Sequence, residues 1–149
     1  MHPIQHAQAR PDHPAVIMAS SGSVMTFGEM DKNANRFAQL LRSYKVNSGD
    51  SFAVLLENRL EYYTLIWGSQ RAGTMLVPIS TRLTPPEISY ILKDSQTKLL
   101  ITSTTFQDVV EEVRKECTAL SVLKMDSMEE DDFQEAMNAS SEVYLSDQS

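Results

Sequence analysis

Between residues 26 and 103 the chain alternates three times between a helix-period stripe and a short, nearly unbroken apolar run, with a turn or cap signal at almost every joint. That rhythm constrains the fold more than any other feature. Apolar runs of four or five residues read as strands covered on both faces. Strands separated by amphipathic helices imply parallel pairing through crossover connections. Such units connect right-handedly and place helices on the sheet faces. The expected fold is therefore α/β: a doubly wound, mainly parallel sheet with flanking helices, preceded by a small β-hairpin.

The hairpin is expected from residues 14–18, a Ser20-Ser21-Gly22-Ser23 turn, and a returning Val24-Met25. Thr26 and Glu29 have capping-box spacing, which predicts a helix start. Its stripe is Phe27, Met30, Ala34, Phe37, Leu41 and Tyr44, and Asn47-Ser48-Gly49-Asp50 is expected to end it. Residues 52–56 form the first apolar run. Asn58 and Glu61 repeat the capping-box spacing for a second helix, with Leu60, Tyr63, Thr64 and Trp67 inward and Gly73 as its left-handed cap. Residues 75–79 form the next strand, with Pro78 near its end or on an unpaired side. Thr84-Pro85-Pro86-Glu87 is a strong helix start, with Ile88, Ile91 and Leu92 inward. Residues 99–102 form a third strand. Phe106, Val109, Val110, Val113 and Cys117 mark another helix, and residues 120–123 a last strand.

Charge is distributed unevenly. Residues 1–125 carry 13 basic and 12 acidic side chains, whereas residues 126–149 carry eight acids and no Lys or Arg. A near-neutral body with an acidic tail argues against nucleic-acid binding, which favours concentrated positive charge. We divide the chain into an α/β subdomain, residues 1–125, and an acidic linker-like tail, residues 126–149. Within the tail a helical turn or two is expected over residues 128–139, and no residue there demands burial. An acidic interaction segment is the alternative reading of the tail. No apolar run is long enough to span a bilayer. The N-terminus has no apolar signal core, and the single cysteine, Cys117, cannot form an internal disulfide. The expected compartment is the cytoplasm.

Open α/β sheets bind ligands beyond the carboxyl ends of their strands. Those ends carry Asn58, then Ser80-Thr81-Arg82, then Ser103-Thr104-Thr105. All are residue types that serve more often as turn formers and helix caps. Phosphate cradles need clustered glycines. The chain has five, and the nearest pair, Gly68 and Gly73, is followed by Thr74-Met75 rather than the Gly-Lys-Ser/Thr of a Walker loop. His2 and His6 share a helix spacing but lack the Glu of a zinc-binding pair, and His13 is the last histidine, so no Ser/His/Asp set is suggested. Cys117 lies on an apolar stripe as an inert thiol. Tyr62, Tyr63 and Trp67 are read as helix-to-sheet packing rather than pocket walls. Asn138-Ala139-Ser140 matches a glycosylation acceptor by accident. Catalytic, cofactor-binding and metal residues are accordingly assigned to none.

Taken in order, the motifs resemble the N-terminal region of adenylate-forming acyl-CoA synthetases, the fatty-acid and related carboxylate–CoA ligases. The stretch at residues 24–41 resembles the first core motif, a T-[FY]-x-E-[LM] start followed by an ANR-A helix. Gly49-Asp50 with the following AVLLEN strand resembles the next landmark. Arg71-Ala72-Gly73 followed by Val77-Pro78-Ile79 resembles the second core motif, and Glu87, Tyr90-Ile91-Leu92 and Asp94-Ser95 resemble the helix after it. The resemblance covers about residues 1–125. It implies an acid–thiol ligase acting through an acyl-adenylate, with ATP, magnesium and coenzyme A as the parent's cofactors and a small carboxylic acid as substrate. The remainder of the ligase is the implied partner. The phosphate loop, the ribose-binding acid and the C-terminal lysine of the family have no counterpart here. The piece alone is therefore expected to be inactive, and Arg71-Ala72-Gly73 is read as structural. A self-standing, non-catalytic interaction module that kept the scaffold is the alternative.

Overall fold

The computed structural model describes residues 14–17, 24–126 and 131–142. Strands β1 (Pro14–Ile17) and β2 (Val24–Thr26) pair antiparallel, as expected, while the turn expected at residues 20–23 lies outside the described residues. Helix α1 (Phe27–Ser43) follows, with the Thr26 hydroxyl accepting from the Glu29 N–H at 3.2 Å. Then come β3 (Ser51–Leu55), α2 (Glu61–Ala72), β4 (Met75–Pro78), α3 (Pro85–Asp94), β5 (Leu99–Ser103), a 3-10 turn (Thr104–Phe106), α4 (Gln107–Glu116), β6 (Ser121–Met125) and α5 (Asp132–Asn138).

The four strands form a parallel sheet in the order β4-β3-β5-β6. Side chains alternate across it. Phe52, Val54, Ile101, Leu123 and Met125 face α1, α2 and α5. Ala53, Leu55 and Leu100 face α3 and α4. The chain leaves β3 toward β4 on one face, then crosses back through β5 to β6 on the other. Right-handed connections running in opposite directions require opposite faces, so the sheet is doubly wound.

Local signals are realised where nothing competes with them. Thr84 and Glu87 form a complete capping box, with Pro85 and Pro86 in the first turn. Gly73 ends α2 at φ 70°. Pro78 is the last residue of β4, which has β3 as its one neighbour among the described residues. Its missing N–H therefore costs the sheet nothing.

Several expectations are corrected. Helix α1 ends at Ser43, before Asn47. Lys45 takes the left-handed conformation at φ 62°, and the Val46 N–H bonds back to the Leu41 carbonyl at 2.9 Å. Arg42 then ties both helix ends together, donating to the carbonyls of Val46 at 2.9 Å and Ala72 at 2.7 Å. Tyr44, placed on the inward stripe from the sequence, is exposed, while Asn35, Ala38 and Leu40 are buried. The helix packs against the sheet and α2 together, so its buried face is wider than one stripe. Asn58 does not cap α2. Leu60 occupies that position with an apolar side chain that has no bond to offer, and the Glu61 carboxylate is held by Arg59. Neither Ser103 nor its neighbours cap α4.

The tail differs most. Residues that seemed to demand no burial include Phe133 and Met137, both buried in the α1–α2 face of the core. Phe133 sits 6.0 Å from Phe37, and Phe37 meets Phe52 edge-on at 5.3 Å.

Candidate functional site

Strand order reverses between β3 and β5, so the crevice beyond their carboxyl ends is where a ligand of this fold class is sought. Its floor is polar and tightly paired. The buried Thr102 hydroxyl donates to the Leu55 carbonyl at 2.9 Å, and the buried Ser103 hydroxyl donates to Glu57 at 2.9 Å. Arg59 stands over it as a hub. Its guanidinium meets Glu57 at 2.8 Å, Glu61 at 2.8 Å, and both carboxylate oxygens of Asp126, one of them at 2.9 Å. Four segments are thereby joined: the end of β3, the start of α2, the end of β5 through Glu57, and the exit of β6. Asp126 reaches Arg59 from a left-handed backbone at φ 69°, and its own N–H is accepted by Asp131, the N-cap of α5.

The electrostatics follow from this geometry. Hydrogen bonds to Asp126 and Glu61 raise Arg59 above its already high value. Its hydrogen bond to Arg59 holds Asp126 below the usual carboxylate range. Burial resists ionisation of Glu61, but the hydrogen bond from Arg59 overcomes it and the carboxyl ends below its ordinary value. For depressed carboxylates the linked stability is fully present above the unfolded value near pH 4 and is lost as pH falls through the folded one. Both partners are more than a third exposed, so solvent screening limits the sum to about 1 kcal/mol. Arg59→Met is expected to cost about that much at pH 7 and clearly less at pH 3. Urea midpoints at the two pH values check it, and an equal loss at both would show that packing of the stem, not charge, is what Arg59 contributes.

The hub leaves little for a ligand, since its three carboxylates and one guanidinium satisfy each other. Among the described residues no group of three or more His, Cys, Asp or Glu is arranged to hold a metal ion. Ser103 braces Glu57, and Ser80 accepts from the Arg82 N–H at 3.3 Å in an exposed turn. Asn58, Thr81, Arg82 and Thr105 are exposed, and Thr104 is half-buried. Cys117 is half-buried against the α3–α4 face. Tyr62 is half-buried against the other face, and its burial raises the phenol. Asn138 is exposed, accepting from Gln134 at 2.9 Å. His2, His6 and His13 lie outside the described residues. Sequence reasoning missed Glu57, Arg59 and Asp126. The alternating charges Glu57, Arg59 and Glu61 at a strand exit were a readable signal; Asp126, 67 residues away, was not.

A cavity of about 860 Å³ opens at the opposite end, where β3, β5 and β6 begin. The carboxyl ends of α1, α3 and α4 converge there. Their negative partial charge disfavours an anion, and Lys93 in the last turn of α3 answers it. Part of its polar lining is committed internally: Thr97 bonds the hydroxyls of Ser95 at 2.8 Å and Ser51 at 3.2 Å. The β3–β5 crevice, where the strand order reverses, is the candidate end of the sheet on topology.

Arg71, 1% exposed, donates to the Asp31 carbonyl and the Asn35 side chain, both at 2.8 Å, and pairs with the Asp31 carboxylate at 2.8 Å. The two segments singled out in the sequence, the Ala34-Asn35-Arg36 helix and Arg71-Ala72-Gly73, thus meet through one guanidinium.

Comparison with known proteins agrees with this framework. A family model described as AMP-binding enzyme matches residues 4–148. The fatty acid–[acyl-carrier-protein] ligase ScoC of Streptomyces coeruleorubidus is 39% identical over 108 residues, covering 72% of this chain and 20% of that protein. The long-chain-fatty-acid–CoA ligase FadD13 of Mycobacterium tuberculosis is 36% identical over 110 residues, 74% of this chain and 22% of that protein. The inhibitor-bound N-terminal domain of FACL13 from Mycobacterium tuberculosis superposes with a TM-score of 0.86 at 28% identity, over 97% of this chain and 36% of that one. The chain thus spans about a fifth of the length of these curated relatives. With the family model covering nearly every residue and the ordered motifs meeting in the fold, the chain belongs to the AMP-binding enzyme family.

Proposed function

We propose that this chain is the N-terminal α/β part of an ATP-dependent carboxylate–CoA ligase that acts in the cytoplasm on a fatty acid or related acid. The family match over residues 4–148 carries the reading, and the names of the similar ligases suggest the acid class. In the reaction, a carboxylate oxygen attacks the α-phosphate of ATP and the bond to pyrophosphate breaks. The coenzyme A sulfur then attacks the acyl carbon, and AMP leaves with the bonding pair. Magnesium accompanies the nucleotide by offsetting phosphate charge. None of the described residues is assigned to the nucleotide, the metal or the thiol. Their contribution is a rigid platform, whose crevice is closed by the Arg59 hub and whose helices α1 and α2 are joined by Arg71.

The test is ATP–pyrophosphate exchange. The 149-residue chain is expected to show none. A chimera in which it replaces the matching N-terminal stretch of the FadD13 ligase is expected to show fatty-acid-dependent exchange. Exchange by the chain alone, or a folded chimera without exchange, contradicts the reading.

A further inference from the structure

We infer that the outer edge of the sheet, formed by β4 and the adjoining side of α2, is the surface on which the rest of a longer AMP-binding polypeptide packs; this rests on the proposed function. β4 is a strand of apolar residues left half open. Met75, on the α3–α4 side of the sheet with Val77, is 65% exposed. Val77 and Leu76, on opposite sides, are only half-buried, so the open edge spans both faces, whereas every apolar residue of β3 and β5 is buried. The neighbouring side of α2 presents the half-buried Tyr62 and Ile66, which is 36% exposed. Tyr62 and Ile66 are one turn apart on the helix, away from the Thr64, Gly68 and Arg71 side that meets α1. A helix with apolar residues on its outer as well as its inner side is one built to be covered twice.

Backbone geometry selects the occupant. The Met75 N–H bonds to the Asp50 carbonyl and the Ile79 N–H to the Val54 carbonyl. Alternation along the strand therefore turns the Leu76 N–H outward, and Pro78, next in the outward row, has no donor. Two copies joined edge to edge need a run of donors on each strand, and β4 offers one. An apolar layer of side chains from elsewhere in a longer chain needs none. The relatives have that chain to supply: about four-fifths of the length of ScoC and FadD13 lies beyond what this chain matches.

The test compares the double substitution Ile66→Ser and Met75→Ser in two settings. In the 149-residue chain it is expected to leave the melting temperature unchanged and to lower anilinonaphthalenesulfonate fluorescence severalfold. In the FadD13 chimera it is expected to lower the melting temperature by several degrees, whether or not the chimera exchanges pyrophosphate. A failed functional reading (no exchange) is thereby separated from a failed surface (no melting shift). A fall in melting temperature in the isolated chain would mean that the surface is already covered there. A discrete dimer abolished by the substitutions would make a second copy the occupant. Either result, or unchanged dye binding, overturns the inference; dye binding in the isolated chain decides independently of whether the chimera folds.

Discussion

Replacing Arg71 by Met is expected to destabilise the chain by about 3 kcal/mol, the low end of the cost of breaking a buried ion pair. The low end applies because Asp31 keeps 26% of its side-chain surface in water and can be resolvated. The loss is not only of charge. The Asn35 amide oxygen and the Asp31 carbonyl lose a donor at 2.8 Å each, and an unmatched buried acceptor costs about 1–3 kcal/mol. Arg71→Lys is expected to recover little, because an ammonium cannot reproduce the planar fork that serves helix carbonyl, amide and carboxylate together. Equilibrium urea unfolding at pH 7 measures both. A melt of Arg71→Met that overlays the wild type would remove the guanidinium from any account of how α1 and α2 are joined. On a total stability of about 5–15 kcal/mol, the expected loss is large enough to lower the yield of folded protein.

The second large effect concerns the same helix pair. Gly68 is buried where α2 crosses α1, and a Cβ there would lie 2.7 Å from Phe37 Cδ2, 2.9 Å from Phe37 Cβ and 3.1 Å from the Ala34 carbonyl oxygen. Phe37 is fully buried, wedged between Phe52 and Phe133, so its ring has nowhere to retreat. Gly68→Ala gains about 1 kcal/mol of helix propensity, set against an overpacking cost of about 1–3 kcal/mol. Gly68→Val loses most of that propensity gain and adds bulk, so it is expected to destabilise by about 3 kcal/mol. Combining Gly68→Ala with Phe37→Leu separates the causes. If the clash is with the ring, the double variant is more stable than the sum of the two single effects predicts, because neighbouring substitutions couple. Strict additivity would place the strain at Phe37 Cβ, which leucine keeps, or at the Ala34 carbonyl.

The secondary structure was readable because its signals are local. The Thr84 capping box, Gly73 at a positive φ and Pro78 at a strand end each satisfy a backbone requirement within three or four residues, whatever the rest of the chain does. Mistaken assignments came where another partner intervened. Arg59, itself tied to Asp126 67 residues away, holds Glu61, and Asn58 does not cap α2; Ser103 serves Glu57, 46 residues away beyond the end of β3, instead of capping α4. Phe133, Ala136 and Met137 do have helical spacing, but a single such turn in an acidic stretch is too short a repeat to announce burial.

From the order of residues alone came the strand–helix rhythm, the parallel doubly wound sheet and the resemblance to a ligase family, since alternation, caps and ordered motifs are properties of neighbours along the chain. The reversal between β3 and β5, the Arg59 hub, the Arg71 lock and the half-covered β4 edge appeared only in three dimensions. Each joins groups from 36 to 67 positions apart or depends on which strand lies outermost. Such pairings are chosen by packing of the whole core, because the partners carry no local mark of one another.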